Sequence, residues 1–258
     1  MNVNVWTFVI VCPLIFLAGF VDSIAGGGGI ISLPAYFLTG MPPHMCYGTN
    51  KLSAACGSVF AVGTYMRHGA VNLKIALIAA AGSFAGSTIG SRVVMLLDGR
   101  VLQLMLVVLL PLVAIFIFVK KIGGEEDRSS TLGSTKLMIF ALLAGVLVGG
   151  YDGIFGPGTG TIAALAFTTV LRFDLRTATG NAKVLNLASN VAACVTFILA
   201  GAVDFRYAVP SAACNIIGSI LGSQMAVRKG SGFIRPVMLC VIVLLIGKVA
   251  WDLLRSFV

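Results

Sequence analysis

Charge is what this sequence has least of. Lys, Arg, Asp and Glu together make up 10% of its 258 residues, and only nine residues are acidic. No stretch is long and polar enough to fold as a soluble domain. Histidine is confined to His44 and His68, both expected in loops and without metal-ligand spacing. There is no H-E-x-x-H and no Ser/His pairing within an apolar run, so an intramembrane enzyme would lack its usual general base. No Walker A pattern is present, which argues against direct ATP hydrolysis by this chain. The six cysteines contain no C-x-x-C, and five of them (all but Cys46) lie inside apolar runs, where they read as small packing residues. No metal site and no cofactor is indicated. Alternating segments of about ten residues, the mark of a membrane β-barrel, are also missing.

What remains is apolar. Hydrophobic residues account for 58% of the chain, and the mean hydropathy is +1.02. Stretches near the roughly 20 residues needed to span a bilayer as helix recur throughout, which makes this an all-α, multi-pass integral membrane protein. The formal net charge of +9 comes from residues at segment ends. It therefore reads as topology signal and headgroup contact, with the lipid bilayer as partner and not nucleic acid. Val5 to Phe20 could pass for a signal peptide. It lacks a positive n-region, however, and it has an internal counterpart around Leu137 to Gly150, so it is expected to be retained.

That counterpart belongs to a repeat about 130 residues long. GFVDSIAGGGGIISLPAYF (Gly19 to Phe37) returns as GGYDGIFGPGTGTIAALAF (Gly149 to Phe167), matching Asp22 with Asp152, Gly26 with Gly156 and Gly28 with Gly158. GTNKL (Gly48 to Leu52) returns as GNAKV (Gly180 to Val184), which sets Lys51 opposite Lys183. GAV follows at Gly69 and Gly201, then GSTIGS at Gly86 and GSILGS at Gly218. The halves are residues 1–120 and 137–258, joined by a hydrophilic linker at 121–136.

Each half divides into five apolar pieces, expected at about 5–24, 30–39, 48–66, 73–96 and 101–119, then 137–151, 160–171, 178–200, 205–226 and 233–257. The second piece in each half is too short to cross ~30 Å of hydrocarbon. With its predecessor it reads as a hairpin broken at AGGGG (Ala25 to Gly29) or GPGTG (Gly156 to Gly160). Such backbone is tolerated at depth only where protein or a water-filled cavity covers it.

Charge decides the topology. If each hairpin leaves on the side it entered, one face collects Arg67, Lys74, Lys120, Lys121, Arg128, Lys136, Arg172, Arg176, Arg228, Lys229 and Arg235, against Arg92, Arg100, Arg206 and Arg255 on the other. Only this arrangement obeys the positive-inside rule. It makes the linker cytoplasmic and both termini external, and it gives the halves opposite orientation, an inverted-topology repeat. Gly82, Gly86 and Gly90, echoed by Gly218 and Gly222, form small-x-x-x-small stripes expected to pack helices densely within each half.

Asp22 and Asp152 are the carboxylates deep in an apolar context beside a helix break. Each could be a coupling-ion or proton relay at the hairpin mouth. Each could equally satisfy orphan N–H groups of the next half-helix or neutralise a lysine. Asp252 lies near a segment end with Lys248 one turn earlier. Lys51 and Lys183 each follow Gly-x-x at an expected helix start, where free N–H groups favour an anion and where snorkelling is the competing explanation. Thr49, Asn50 and Asn181 are neutral donors nearby. Asn186 and Asn190 share a helix face with Lys183, as a pathway wall or as interhelical hydrogen bonds. If both helices start at the membrane surface, inversion leaves the lysines ~20 Å apart across a ~30 Å core. If they start inside a vestibule, the lysines converge.

With these motifs in this order, the chain resembles the sulfite exporter TauE/SafE family, also called the toluene sulfonate uptake permease family. GFVDSIAGGGG, GTNKL, YDGIFGPGTG and AKVLNLASN (Ala182 to Asn190) carry the resemblance, which covers essentially the whole chain. It implies a multi-pass transporter of the bacterial inner membrane for small anions such as sulfite, sulfonates and related sulfur compounds or organic acids. The family motifs fall on Asp22, Gly26, Gly27, Gly28, Gly29, Asn50, Lys51, Asp152, Gly156, Pro157, Lys183 and Asn190, and Gly158 joins them as a hairpin position through its match to Gly28. The leading expectation is a secondary transporter working by alternating access around a central site. The alternatives are a passive anion channel, a non-transporting membrane subunit and, least supported, an intramembrane enzyme. The particular anion, the direction of transport, the coupling ion and assembly into a homo-oligomer are left open.

Overall fold

The first helix of each half stops at glycine. In the computed structural model, which describes residues 5–102, 104, 105, 108, 126–234, 236, 237 and 240, α1 (Val5–Ala25) ends where Gly26 takes a left-handed φ of 67°. Its repeat partner α5 (Ser134–Ile154) ends before Gly156 and Gly158, at φ 92° and 81°. Glycine enters this region without steric penalty, so the chain reverses there. The short α2 (Gly29–Phe37) runs back along α1, with Gly28 against Ala18 and Asp22, and with Ala35 and Tyr36 packed near Val11 and Ile15. The short α6 (Thr159–Thr169) follows α5 in the same way.

The long helices are started by local chemistry. Pro43 occupies the first turn of α3 (Pro43–Arg67), where a missing N–H costs nothing. Asn72 caps α4 (Leu73–Leu96) by accepting from Ile75 N–H. Asp174 caps α7 (Leu175–Leu199) through the N–H groups of Arg176 and Thr177, and Asp204 caps α8 (Phe205–Lys229) through Arg206 N–H. Such caps satisfy donors that the helix itself leaves orphaned. The Arg206 guanidinium, 2.8 Å from Asp204, also holds that carboxyl below the usual carboxylate range. A 3-10 turn, Ser129–Leu132, precedes α5. No strand occurs among the described residues.

The expected piece at 73–96 coincides with α4, whereas α3 and α7 begin earlier than the expected 48 and 178. Pro43 and Asp174 set those starts upstream of the glycines. His44 consequently sits in the first turn of α3, not in a loop, with Nε2 3.2 Å from Val94 O and 3.0 Å from Leu97 O. The pieces expected at 101–119 and 233–257 lie largely outside the described residues, and the Asp252–Lys248 pair lies wholly outside them. Among the described residues, four helices (α1, α4, α5 and α7) are long and apolar enough to cross a membrane. Leu77, Ile89, Leu147, Leu199 and Val209 stand out from the surface, as side chains facing hydrocarbon would.

Among the described residues, packing runs between the halves more than within them. α4 lies along α5 and α7, while α8 lies along α1 and α3. The glycine stripes make these contacts across the halves, which corrects the expectation that they pack each half internally. A Cβ at Gly82 would stand 2.5 Å from Leu142 O, and one at Gly90 the same distance from Gly150 O, both on α5. Gly218 and Gly222 meet Phe16 and Phe20 of α1 in the same way. Without side chains, the backbones come close enough for packing no larger residue permits.

The contacts also give helix directions. Gly82 and Gly90 advance along α5 together with it, and Ser83 and Ser87 donate to Leu185 O and Ser189 O of α7 at 2.9 and 2.7 Å, so α4, α5 and α7 run parallel. Gly218 and Gly222 step forward along α1, and Thr49 and Gly57 of α3 meet Asp204 and Ser219, so α1, α3 and α8 run parallel. Gly48 abuts Ala202 at the end of α7 while Gly180 abuts Ala70 beyond α3, so α3 and α7 run antiparallel. Thus α1 and α5, α3 and α7, and α4 and α8 run in opposite directions.

Candidate functional site

The two hairpin tips meet. Gly26 lies directly against Gly160, Gly29 faces Pro157, and the Thr161 hydroxyl donates to Ala25 O at 2.8 Å and to Gly26 O. Just before each tip, the aspartate of the first helix points toward the other half. Asp22 Oδ2 pairs with Lys183 Nζ at 2.8 Å, and Asp152 Oδ2 pairs with Lys51 Nζ at 2.7 Å. Each ion pair thus joins an aspartate of one repeat to the lysine of the other. Lys51, Lys183 and Asp152 are 3% exposed or less, and Asp22 retains 24%. Lone charges would be strongly disfavoured at such burial; here two ammonium groups and two carboxylates form an array with no net charge.

The surroundings of the two pairs differ. Asp22 Oδ1 accepts the N–H groups of Gly27 and Gly28 at 3.2 and 3.3 Å, so it also satisfies the start of the following half-helix. Asp152 Oδ1 accepts from the Thr159 hydroxyl at 2.8 Å, while Oδ2 has Lys51 beside it and accepts no other hydrogen bond among the described residues. Lys51 donates in addition to Asn190 Oδ1 at 3.2 Å, and Asn190 Nδ2 donates to Asn186 Oδ1 at 3.2 Å.

Both lysines lie deeper than a helix start. Each is the ninth residue of its helix, about 12 Å in at ~1.5 Å per residue. The free N–H groups of a helix terminus are therefore not beside them, which corrects the sequence expectation; the upstream starts at Pro43 and Asp174 are the reason. Because Lys51 reaches Asn190, seven positions beyond Lys183 on α7, the lysines are separated by about 10 Å along that helix. They are neither at opposite membrane surfaces nor in contact.

A cavity of about 30 Å³ lies between the pairs, room for a water or two. Of the residues singled out in the sequence, Asp22, Gly28, Gly29, Asn50, Lys51, Asp152, Gly156, Asn186 and Asn190 line it. Gly26, Gly27, Pro157 and Gly158 shape the hairpins instead, and Lys183 reaches the cavity only through its partner Asp22. Thr49 and Asn181 also lie off the cavity. The Thr49 hydroxyl accepts Asp204 N–H at 3.1 Å, and Asn181 Oδ1 accepts Asn72 N–H at 2.8 Å. These equivalent positions tie the loop before α8 and the loop before α4 to the opposite repeat. Thr49→Val should leave a buried N–H without an acceptor and lower stability by ~1–3 kcal/mol, read from unfolding of the purified protein in detergent.

Asn215 of α8 lines the cavity as well, with Oδ1 accepting from the Ser219 hydroxyl at 3.1 Å. Sequence reasoning passed over it, although a lone carboxamide within an apolar helix was the available signal. It completes an imbalance between the repeats. With Lys51 aligned to Lys183, Asn50 corresponds to Ala182, Asn186 to Ala54, Asn190 to Ser58 and Asn215 to Ser83. The amides thus line the cavity beside Lys51, whereas Ala182, next to Lys183 on α7, belongs to an apolar cluster with Phe155 and Phe167. Both members of the Lys51–Asp152 pair line the polar cavity, whereas of the other pair only Asp22 does and Lys183 stays buried behind it.

Residues 11–249 match the family described as sulfite exporter TauE/SafE. The chain is 39% identical over 238 residues to a probable membrane transporter protein of Haemophilus influenzae, covering 92% of each chain. It is 37% identical over 236 residues to the probable membrane transporter protein YfcA of Escherichia coli K12, covering 92% of this chain and 87% of that one. At 24% identity, the probable membrane transporter protein YdhB of Bacillus subtilis matches over 85% of this chain and 91% of its own. No solved structure matches.

Proposed function

The chain belongs to the sulfite exporter TauE/SafE family, and from that premise we propose that it is a secondary transporter moving a small anion by alternating access. The substrate class is sulfite, a sulfonate or a related sulfur or organic acid anion. One observation carries this reading: a neutral, buried charge array in which Lys51 stands between Asp152 and an amide-lined cavity, where the two hairpin tips meet. An ammonium flanked by carboxamides offers an anion several donors, with Asp152 and Asn190 Oδ1 the acceptors it already serves. The cavity's small volume suits an occluded state and not an open pore, which favours a carrier over a channel.

The helix directions support reading the repeat as inverted, with the two halves rocking around the shared tips. The membrane is the bacterial inner membrane, the linker is cytoplasmic and the termini are external. In a cysteine-free background, a membrane-impermeant maleimide should label Ala200→Cys in intact cells and Ser130→Cys only after permeabilisation. Labelling on the reversed sides would overturn this orientation.

Transport itself is tested by reconstitution. Sulfite or methanesulfonate uptake into proteoliposomes should saturate with concentration and show counterflow. It should fall to the protein-free background in Lys51→Ala and Lys183→Ala. Non-saturating flux would indicate a channel, and uptake unchanged in both variants would remove the anion site from these lysines.

A further inference from the structure

The two aspartates are equivalent by repeat but not by bonding. Asp22 is held by Lys183 and by two backbone N–H groups. Were the lysine to turn away, its Oδ1 would keep both amides. Asp152, in contrast, would keep only the Thr159 hydroxyl on Oδ1, and among the described residues its Oδ2 has Lys51 beside it and no hydrogen-bond donor in reserve. Lys51 also touches Asn190 on the cavity wall, so a rotation of its side chain would carry the ammonium from Asp152 to whatever occupies the cavity.

Charge bookkeeping then limits what can enter. The array of Asp22, Lys183, Asp152 and Lys51 is neutral as it stands. An anion that takes the Lys51 ammonium leaves Asp152 ionised, buried and unpaired, and gives the site one net negative charge in surroundings of low dielectric. Such a state is strongly disfavoured. A proton on Asp152 restores neutrality and turns Oδ2 into a hydroxyl that can donate to the cavity.

The other groups facing Asp152 offer no substitute. Tyr151, next to it on α5, donates its hydroxyl to Pro157 O, and Tyr47 is the further phenol nearby on α3. α6 presents the Thr159 hydroxyl, and α7 presents the amides of Asn186 and Asn190. α4 brings Ser87 against Gly153. Across the cavity, α1 presents Asp22, already paired with Lys183 of α7. Among the described residues, Lys51 is thus the cation beside Asp152.

We propose that Asp152 is the coupling site of a proton–anion symporter. The anion displaces Asp152 from Lys51, Asp152 takes one proton from the aqueous face on which the cavity opens, and the two travel together. Release reverses both steps: Asp152 gives its proton to the opposite face and recaptures Lys51. Asp22 and Lys183 remain a fixed ion pair throughout. The inference rests on the anion-transport reading above.

Methanesulfonate and benzenesulfonate, whose charge is constant between about pH 5 and 8, are suitable probes. Binding either one to wild-type protein in weakly buffered detergent should take up about one proton per anion, and affinity should rise about tenfold for each pH unit lowered, as linkage requires. Asp152→Asn should bind the anion without proton uptake and with affinity independent of pH, and a pH gradient should no longer drive accumulation in proteoliposomes. Asp22→Asn, where it folds, should keep the pH dependence. Anion binding by the wild type without proton uptake would overturn the proposal and needs no variant to be seen. Proton uptake that survives in Asp152→Asn and disappears in Asp22→Asn would overturn it as well. If the wild type binds neither sulfonate nor sulfite, the anion-transport reading itself fails, and the inference falls with it.

Discussion

Lys51→Met is expected to destabilise the folded protein by about 3–5 kcal/mol, the usual cost of breaking one side of a buried ion pair, and to abolish transport. The cost arises because Asp152 is left 2% exposed with no cation beside it. The double substitution Lys51→Met with Asp152→Asn should recover most of that stability, since no buried charge at this pair then remains uncompensated, while transport stays at background. Denaturant unfolding of the four proteins in the cycle, alongside flux, separates the two effects. Should the double variant be no more stable than Lys51→Met, the pair is not what makes Lys51 structurally important. Lys183→Met should be milder, because Asp22 keeps the Gly27 and Gly28 amides and some exposure.

The second large effect is expected at Gly26. Its φ of 67° is left-handed, and a Cβ there would fall onto the backbone of Gly160 in the other hairpin. Gly26→Ala therefore combines ~1–2 kcal/mol for the backbone conformation with ~1–3 kcal/mol for overpacking at a backbone that cannot yield easily. Two other glycines isolate these contributions. Gly201 has the same φ of 67° with nothing within 4 Å of its Cβ position, so Gly201→Ala should show the conformational part alone. Gly63, helical in α3 and also open within 4 Å, should gain up to about 1 kcal/mol as alanine. Equal losses at Gly26 and Gly201, measured by unfolding, would mean that the hairpin tips do not press together.

Much of the architecture was legible locally. Glycine runs after apolar stretches marked both hairpin breaks, and the expected 73–96 piece coincides with α4. Where local chemistry spoke more quietly the boundaries slipped. Glycines 48 and 180 looked like helix starts, but Pro43 and Asp174 begin α3 and α7 upstream. That slip also misassigned the environment of the lysines, which sit two turns inside their helices, beyond the reach of terminal N–H groups.

The partners of the charged residues were not legible at all. Asp22 and Lys183 are 161 positions apart, and nothing in either repeat says that each aspartate is completed by the other repeat's lysine. Thr49 and Asn181 show the same limit. Their proximity to the lysines suggested ligand contacts, yet one turn of helix points them at the N–H groups of Asp204 and Asn72.

The sequence by itself determined that the chain lives in a membrane, that it is built twice, and that two carboxylates and two lysines sit where lipid would punish them. Composition, spacing and the backbone freedom of glycine act over a few residues and are readable without a fold. Only the tertiary structure decided that the repeats exchange partners, that Lys51 lines the cavity while Lys183 does not, and that Asp22 keeps two backbone amides where Asp152 keeps one hydroxyl. Those outcomes depend on which helices pack together across the whole chain, and a buried charge takes its chemistry from the neighbours that packing supplies.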